Sequence, residues 1–195
     1  MLRPRQRIQA IAIGVACLPL IGLGVAALRD DLGANPIETL THVTGEWALR
    51  WLLVSLAVTP ARRWLDWQWA APLRRTFGLA AFGYASLHLG VWAGLDWFFD
   101  LGAMWEDVVE RRYITMGFAG FLCMLPLAIT STRGWIRRLG KRWVTLHRLA
   151  YLAGIAAVVH YLWLVKADLL APLVHAALLA SLFGLRWLGH RRSRA

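Results

Sequence analysis

Six stretches of this chain, near residues 9–28, 43–60, 77–96, 113–131, 146–165 and 169–187, approach the run of about 20 apolar residues that a helix needs to cross a bilayer. No other feature limits the fold so tightly. Hydrocarbon offers no water to exposed N–H and C=O groups, so a spanning segment must satisfy its own backbone as a helix. The predicted fold is therefore all-α, a polytopic membrane bundle of six transmembrane helices. Composition agrees: 58% of the 195 residues are hydrophobic and 17% are charged. A soluble domain of this size has too much surface to hide that apolar area. The first stretch follows Arg3, Arg5 and Arg7, as the core of a secretory signal would, but is longer than that core's usual 7–15 residues. A retained first helix is expected. No segment reads as an internal repeat, a linker or an extramembrane domain, so residues 1–195 are expected to form one membrane domain.

The basic residues predict orientation. Arg3, Arg5 and Arg7, then Arg62, Arg63, Arg74 and Arg75, then the group from Arg133 to Arg148, then Arg186 to Arg194 all fall on one side of the six spans. They make up seventeen of the 22 Lys and Arg residues. Asp30, Asp31, Glu38, Asp96, Asp100, Glu106, Asp107, Glu110 and Asp168 fall on the other. By the positive-inside rule both termini are cytoplasmic. The net charge of +11 is thus a topology signal and an anchor for lipid phosphates, and no nucleic-acid footprint is expected. Eleven of the 12 tryptophans, all but Trp51, fall near the predicted boundaries, as interfacial anchors do. Cys17 and Cys123 form no CxxC and no CxxCH, which argues against a disulfide framework and covalent haem attachment.

Histidines carry the chemistry. Ionisable groups inside a membrane are rare and usually functional. At about 1.5 Å per helical residue, His88 on the third span and His160 on the fifth lie at similar depth below the outer surface. Two imidazoles on different helices at one depth suit the axial positions of a haem iron. Zinc is less attractive, because no Cys, Asp or Glu joins them. His42 stands at the outer mouth of the second span, His175 beneath the outer start of the sixth, and His190 in the basic tail. His147 alone lies near the cytoplasmic face, about 20 Å from His160 if one helix joins them. Thirteen residues at about 100° each would leave those two rings some 140° apart on that helix, facing different partners unless it is distorted near Gly154. On the third span Arg74 and Arg75 occupy the positions where a ligand opposite His147 would be sought. One haem is well supported by this count, and a second would need an unusual partner. Arg50, four residues after Glu46, has ion-pair spacing and is also a candidate for a haem propionate or quinone head-group.

Four segments, "NPIETLTHVTGEWAL" (35–49), "RRTFGLAAFGYASLHL" (74–89), "RRYITMGFAGF" (111–121) and "TSTRGWIRRLGKRWVTLHRLAYLAGIAAVVHYLW" (130–163), resemble the MsrQ (YedZ) family. Its members look like the membrane half of ferric reductases without the flavin- and nicotinamide-binding half. The resemblance covers nearly the whole chain. It implies a haem b subunit of the bacterial inner membrane, with His88, His147 and His160 as haem ligands. Such a subunit passes electrons from the quinone pool, or from a cytoplasmic flavin reductase, to the periplasmic molybdopterin enzyme MsrP, which repairs oxidised methionines in envelope proteins. The chain would be an electron-transfer subunit and not the catalytic one. The resemblance also implies FMN as a second cofactor, though the sequence has no Gly-rich phosphate loop. Two other readings stand beside it: a quinol-oxidising cytochrome b subunit of another periplasmic enzyme, and a non-redox transporter or assembly factor whose histidines relay protons or bind metal.

Overall fold

The computed structural model describes residues 4–192, and among them there are helices and no strands. Arg3 and Arg194, and the side chains of His190, Arg191 and Arg192, lie outside the described residues. The helices are α1 (Pro4–Leu28), α2 (Pro36–Trp64), α3 (Leu73–Val91), α4 (Leu101–Glu110), α5 (Arg112–Ile129), α6 (Arg133–Leu139), α7 (Lys141–Leu146), α8 (Leu149–Leu164) and α9 (Leu170–Arg192). A 3₁₀ turn at Gln68–Ala70 precedes α3, and a π-helical turn at Trp92–Asp96 prolongs it.

Local chemistry sets the boundaries. Asn35 accepts the Glu38 amide and Pro36 occupies the first turn, so α2 starts where its missing N–H costs nothing. Asp100 takes the amides of Gly102 and Ala103 to start α4. Gly140, at φ +51, makes the left-handed turn that separates α6 from α7.

Four helical segments among the described residues are long and apolar enough to cross a membrane: Arg5–Leu28, Gln68–Asp96, Arg112–Ile129 and Leu170–Gly189. They coincide with four of the six expected spans. The other two behave differently for separate reasons. α8 has 16 residues and so covers about 24 Å, short of the hydrocarbon thickness of about 30 Å. The expected span at 146–165 is interrupted at its start, because α7 ends at Leu146 and α8 begins at Leu149. α2 is long but carries Glu46 and Arg50 within its apolar stretch. It is also the most enclosed helix, packed on α3 above all and touching α1, α8 and α9, with Leu49, Trp51, Leu52, Leu53, Leu56 and Val58 buried. Protein, and not lipid, is the solvent for much of its surface.

Two helix pairs, α2 with α3 and α5 with α8, form the bundle's centre, and α1 and α9 pack outside them. The packing also answers for a broken backbone bond. Pro60 has no N–H, so the carbonyl of Leu56 lacks its helical donor. The Arg186 guanidinium donates to that carbonyl and to the Tyr151 hydroxyl. Sequence placed Arg186 with the cytoplasmic basic group, but it is 9% exposed, drawn between α2 and α8 by this demand. On the other flank the Tyr84 hydroxyl donates to the carbonyl of Ala16 in α1 at 2.8 Å.

Candidate functional site

The half of the bundle that carries α4 encloses a cavity of about 470 Å³ between α2, α3, α5 and α8. Much of its lining is apolar, including Leu49, Leu52, Phe121, Met124 and Ala153 at the end away from α4. Its mouth carries His42, Glu46, Trp92, Asp96, Trp97, Asp107, Arg111 and Tyr113. Inside it His88 and His160 face each other, with ring centres 6.1 Å apart and planes at 77°.

Each ring is held in the same way. His88 Nδ1 lies 2.9 Å from the carbonyl oxygen of Thr41, and His160 Nδ1 lies 2.6 Å from that of Tyr113. A carbonyl only accepts, so Nδ1 carries the hydrogen on both rings and Nε2 keeps its lone pair. This is the arrangement in which a backbone acceptor fixes the tautomer of a ligating histidine. Four residues beyond each carbonyl stands a glycine. A Cβ at Gly45 would lie 2.9 Å from His88 Nδ1, and one at Gly117 would lie 2.8 Å from His160 Nδ1. Both imidazoles therefore rest directly on helical backbone. Carbonyl and histidine are 47 residues apart in both halves. The chain thus repeats one recipe, carbonyl, glycine, histidine, although the sequence shows no visible repeat.

The donor set fits the group that the sequence resemblance implies. With Nδ1 of each ring committed to a carbonyl and the ring centres 6.1 Å apart, the two Nε2 atoms are the donors that would hold one iron. No cluster of three or more His, Cys, Asp or Glu suited to a bare metal ion occurs among the described residues.

The remaining sequence candidates lie elsewhere. His147 is the residue at the break between α7 and α8, so the helical azimuth reckoned from His160 does not apply to it. Gly154 lies within regular α8 and introduces no distortion. The His147 ring stacks on Trp143 at 3.7 Å and does not line the cavity. Arg50 forms the expected ion pair with Glu46 and lies over the Trp47 ring, 4.7 Å from its centre. Glu46 lines the cavity and Arg50 does not. His42 lines the mouth, 3.9 Å from Glu38. His175 is buried and meets Tyr161, a cavity-lining residue, edge-on at 5.8 Å.

Sequence reasoning missed the mouth. Asp107, 5% exposed, takes the indole N–H groups of Trp92 and Trp97 on one oxygen, both at 3.1 Å, and Arg111 Nε on the other at 2.8 Å. The Tyr113 hydroxyl, and then the Asp107 carboxylate, hold the Arg111 pKa above its ordinary value, so its charge is permanent. The equal spacing of Gly45 from His88 and of Gly117 from His160 was the one signal that could have exposed the glycines. The Asp107 cluster had none beyond an (i, i+4) acid–base pair.

A helical bundle with two facing imidazoles in an apolar cavity is the architecture of membrane redox subunits. Residues 44–158 match the family model described as "Ferric reductase like transmembrane component". The protein-methionine-sulfoxide reductase heme-binding subunit MsrQ of Rhodospirillum rubrum is 54% identical over 190 residues, covering 95% of this chain and 90% of that protein. The subunit of the same name from Herminiimonas arsenicoxydans is 44% identical, covering 96% and 88%. That from Deinococcus radiodurans is 52% identical, covering 85% and 82%. The chain belongs to the MsrQ family, and it is a multi-pass protein of the bacterial inner membrane. No solved structure matches it.

Proposed function

We propose that this chain is the haem b membrane subunit of a methionine sulfoxide reductase system, passing electrons across the inner membrane to a periplasmic MsrP-type molybdoenzyme. The observation that carries this reading is the His88–His160 pair, 6.1 Å apart in an apolar cavity with both Nε2 lone pairs left for a metal. The names of the relatives, heme-binding subunits of protein-methionine-sulfoxide reductase, support it. Haem, when bound, would supply one-electron carriage, and His88 and His160 are the residues that would hold its iron.

The protein's own residues set the conditions for that carriage. Thr41 and Tyr113 fix the tautomers, Gly45 and Gly117 admit the rings, and the apolar walls exclude water. The cavity opens beside the acidic outer loops, where a soluble acceptor can approach. In this reading all six apolar segments span the membrane as one domain, both termini are cytoplasmic, and a quinol or a flavin reductase supplies electrons from the inner side. His147, stacked on Trp143 near that side, is a ligand candidate by resemblance alone, as are a second haem and FMN.

The test is optical. Protein purified from haem-replete cells should give a dithionite-reduced minus oxidised spectrum with b-type α-band absorbance. His88→Ala and His160→Ala should each abolish the same component, while His147→Ala leaves it in place. Absence of any b-type spectrum would overturn the reading, and reduction of MsrP by the reconstituted protein distinguishes this partner from another periplasmic enzyme.

A further inference from the structure

Among the described residues that line the cavity, Arg111 is the only permanently cationic one. It stands at the end of α4 and caps the start of α5, two residues before the carbonyl that orients His160. Its guanidinium is partly spent: Nε donates to Asp107 at 2.8 Å and Nη1 to the Tyr113 hydroxyl at 3.3 Å. A guanidinium has five N–H groups in a planar fork, so donors remain beyond these two. The side chain is 54% exposed, whereas that of Asp107 is 4% exposed. Asp107 is itself clamped by Trp92 and Trp97, which hang from the π-helical turn after α3. The result is an arginine at the cavity mouth whose direction is fixed from behind by a buried carboxylate. The other mouth groups with charge at neutral pH, Glu46, Asp96 and Asp107, are all acidic.

Resting on the haem reading above, we propose that Arg111 anchors a propionate carboxylate of the haem held between His88 and His160, with Asp107 as its positioning residue. The apolar floor of Leu52, Met124 and Ala153 cannot accommodate a carboxylate without desolvating it, so the anionic edge of the ligand must face the mouth. There the Arg111 guanidinium is the permanently charged group that pairs with it. An arginine–carboxylate contact is short, charge-assisted and directional, and the fork geometry makes Arg unlike Lys at such a site. The candidate named from sequence, Arg50, stands outside the lining, whereas Arg111 is part of it.

The test uses the full chain, produced in haem-deficient cells and titrated in detergent with haem b and with its dimethyl ester, which lacks the propionate charges. Wild-type protein should bind haem b at least about tenfold more tightly than the ester. Arg111→Gln should lose that preference while keeping the bis-imidazole absorbance, and Arg50→Gln should retain it. Asp107→Asn should weaken the preference severalfold with the axial spectrum unchanged, which a merely structural role would not do. Equal binding of haem and ester by the wild type would overturn the proposal without recourse to any variant, as would full preference in a folded Arg111→Gln. Wild type that takes up neither compound would instead overturn the haem reading itself.

Discussion

Gly45 and Gly117 show how much of this site depends on one missing methyl group. Each glycine allows a histidine ring to lie on helix backbone, with Cβ positions 2.9 and 2.8 Å from the nearest ring atoms. The ring cannot retreat freely, because its Nδ1 is tied to a carbonyl one turn earlier on the same helix. Gly45→Ala should therefore displace His88, and Gly117→Ala should displace His160, at a cost of about 1–3 kcal/mol each in overpacking. The expected outcome is a fall of about tenfold or more in bound haem per polypeptide, read by pyridine haemochrome, from a chain that still runs as a single species in detergent. Gly83→Ala is the matching control, since nothing lies within 4 Å of a Cβ there. The two histidines were legible in the sequence because imidazole in an apolar run is conspicuous. Their glycines were not, since a glycine in a membrane helix has many uses and the pairing spans more than forty residues. Arg186 is another side chain whose role only contacts reveal: it reads as a basic tail residue and proves to satisfy the carbonyl that Pro60 leaves open.

At the scale of elements, hydropathy located the four helical segments that are long and apolar enough to cross a membrane, and it also marked α2 and α8, because burial in lipid or in a core makes the same local demand on composition. It could not show that α8 begins at Leu149, since an apolar run does not reveal a turn at its end. Nor did it anticipate α4, a ten-residue helix that Asp107 helps to attach to its neighbours. Asp107 ties α4 to Trp92, Trp97 and Arg111. Leu101, Trp105 and Val109 on the same helix are exposed. Asp107→Ala removes the acceptor of three donors and should loosen the segment by about 2 kcal/mol. Hydrogen exchange across residues 97–111 should then quicken by on the order of tenfold to thirtyfold, with α2 and α3 unaffected. Unchanged exchange there would show that α4 is held by something other than Asp107.

For the whole molecule, the asymmetry of charge predicts orientation independently of the site. The Lys and Arg residues gather on one side of the spans and nine of the eleven acidic residues on the other. A fluorescent protein fused after Ala195 should fold and fluoresce in the cytoplasm, and an alkaline phosphatase fused there should be inactive. The reverse result would invert the bundle and place the cavity mouth on the cytoplasmic side.

The sequence by itself determined where the apolar helices lie, how its charges are divided between their two sides, and that His88 and His160 share a depth. These properties are local or additive along the chain: a run of apolar residues, a sum of charges, a rise per residue. Only the tertiary structure decided which groups meet. It set Thr41 and Gly45 against His88, Tyr113 and Gly117 against His160, Asp107 behind Arg111, and left Arg50 and His147 outside the cavity. The physical reason is that a contact depends on the rotation and approach of two helices at once, and on which buried polar groups each must satisfy. Neither quantity is carried by any one segment.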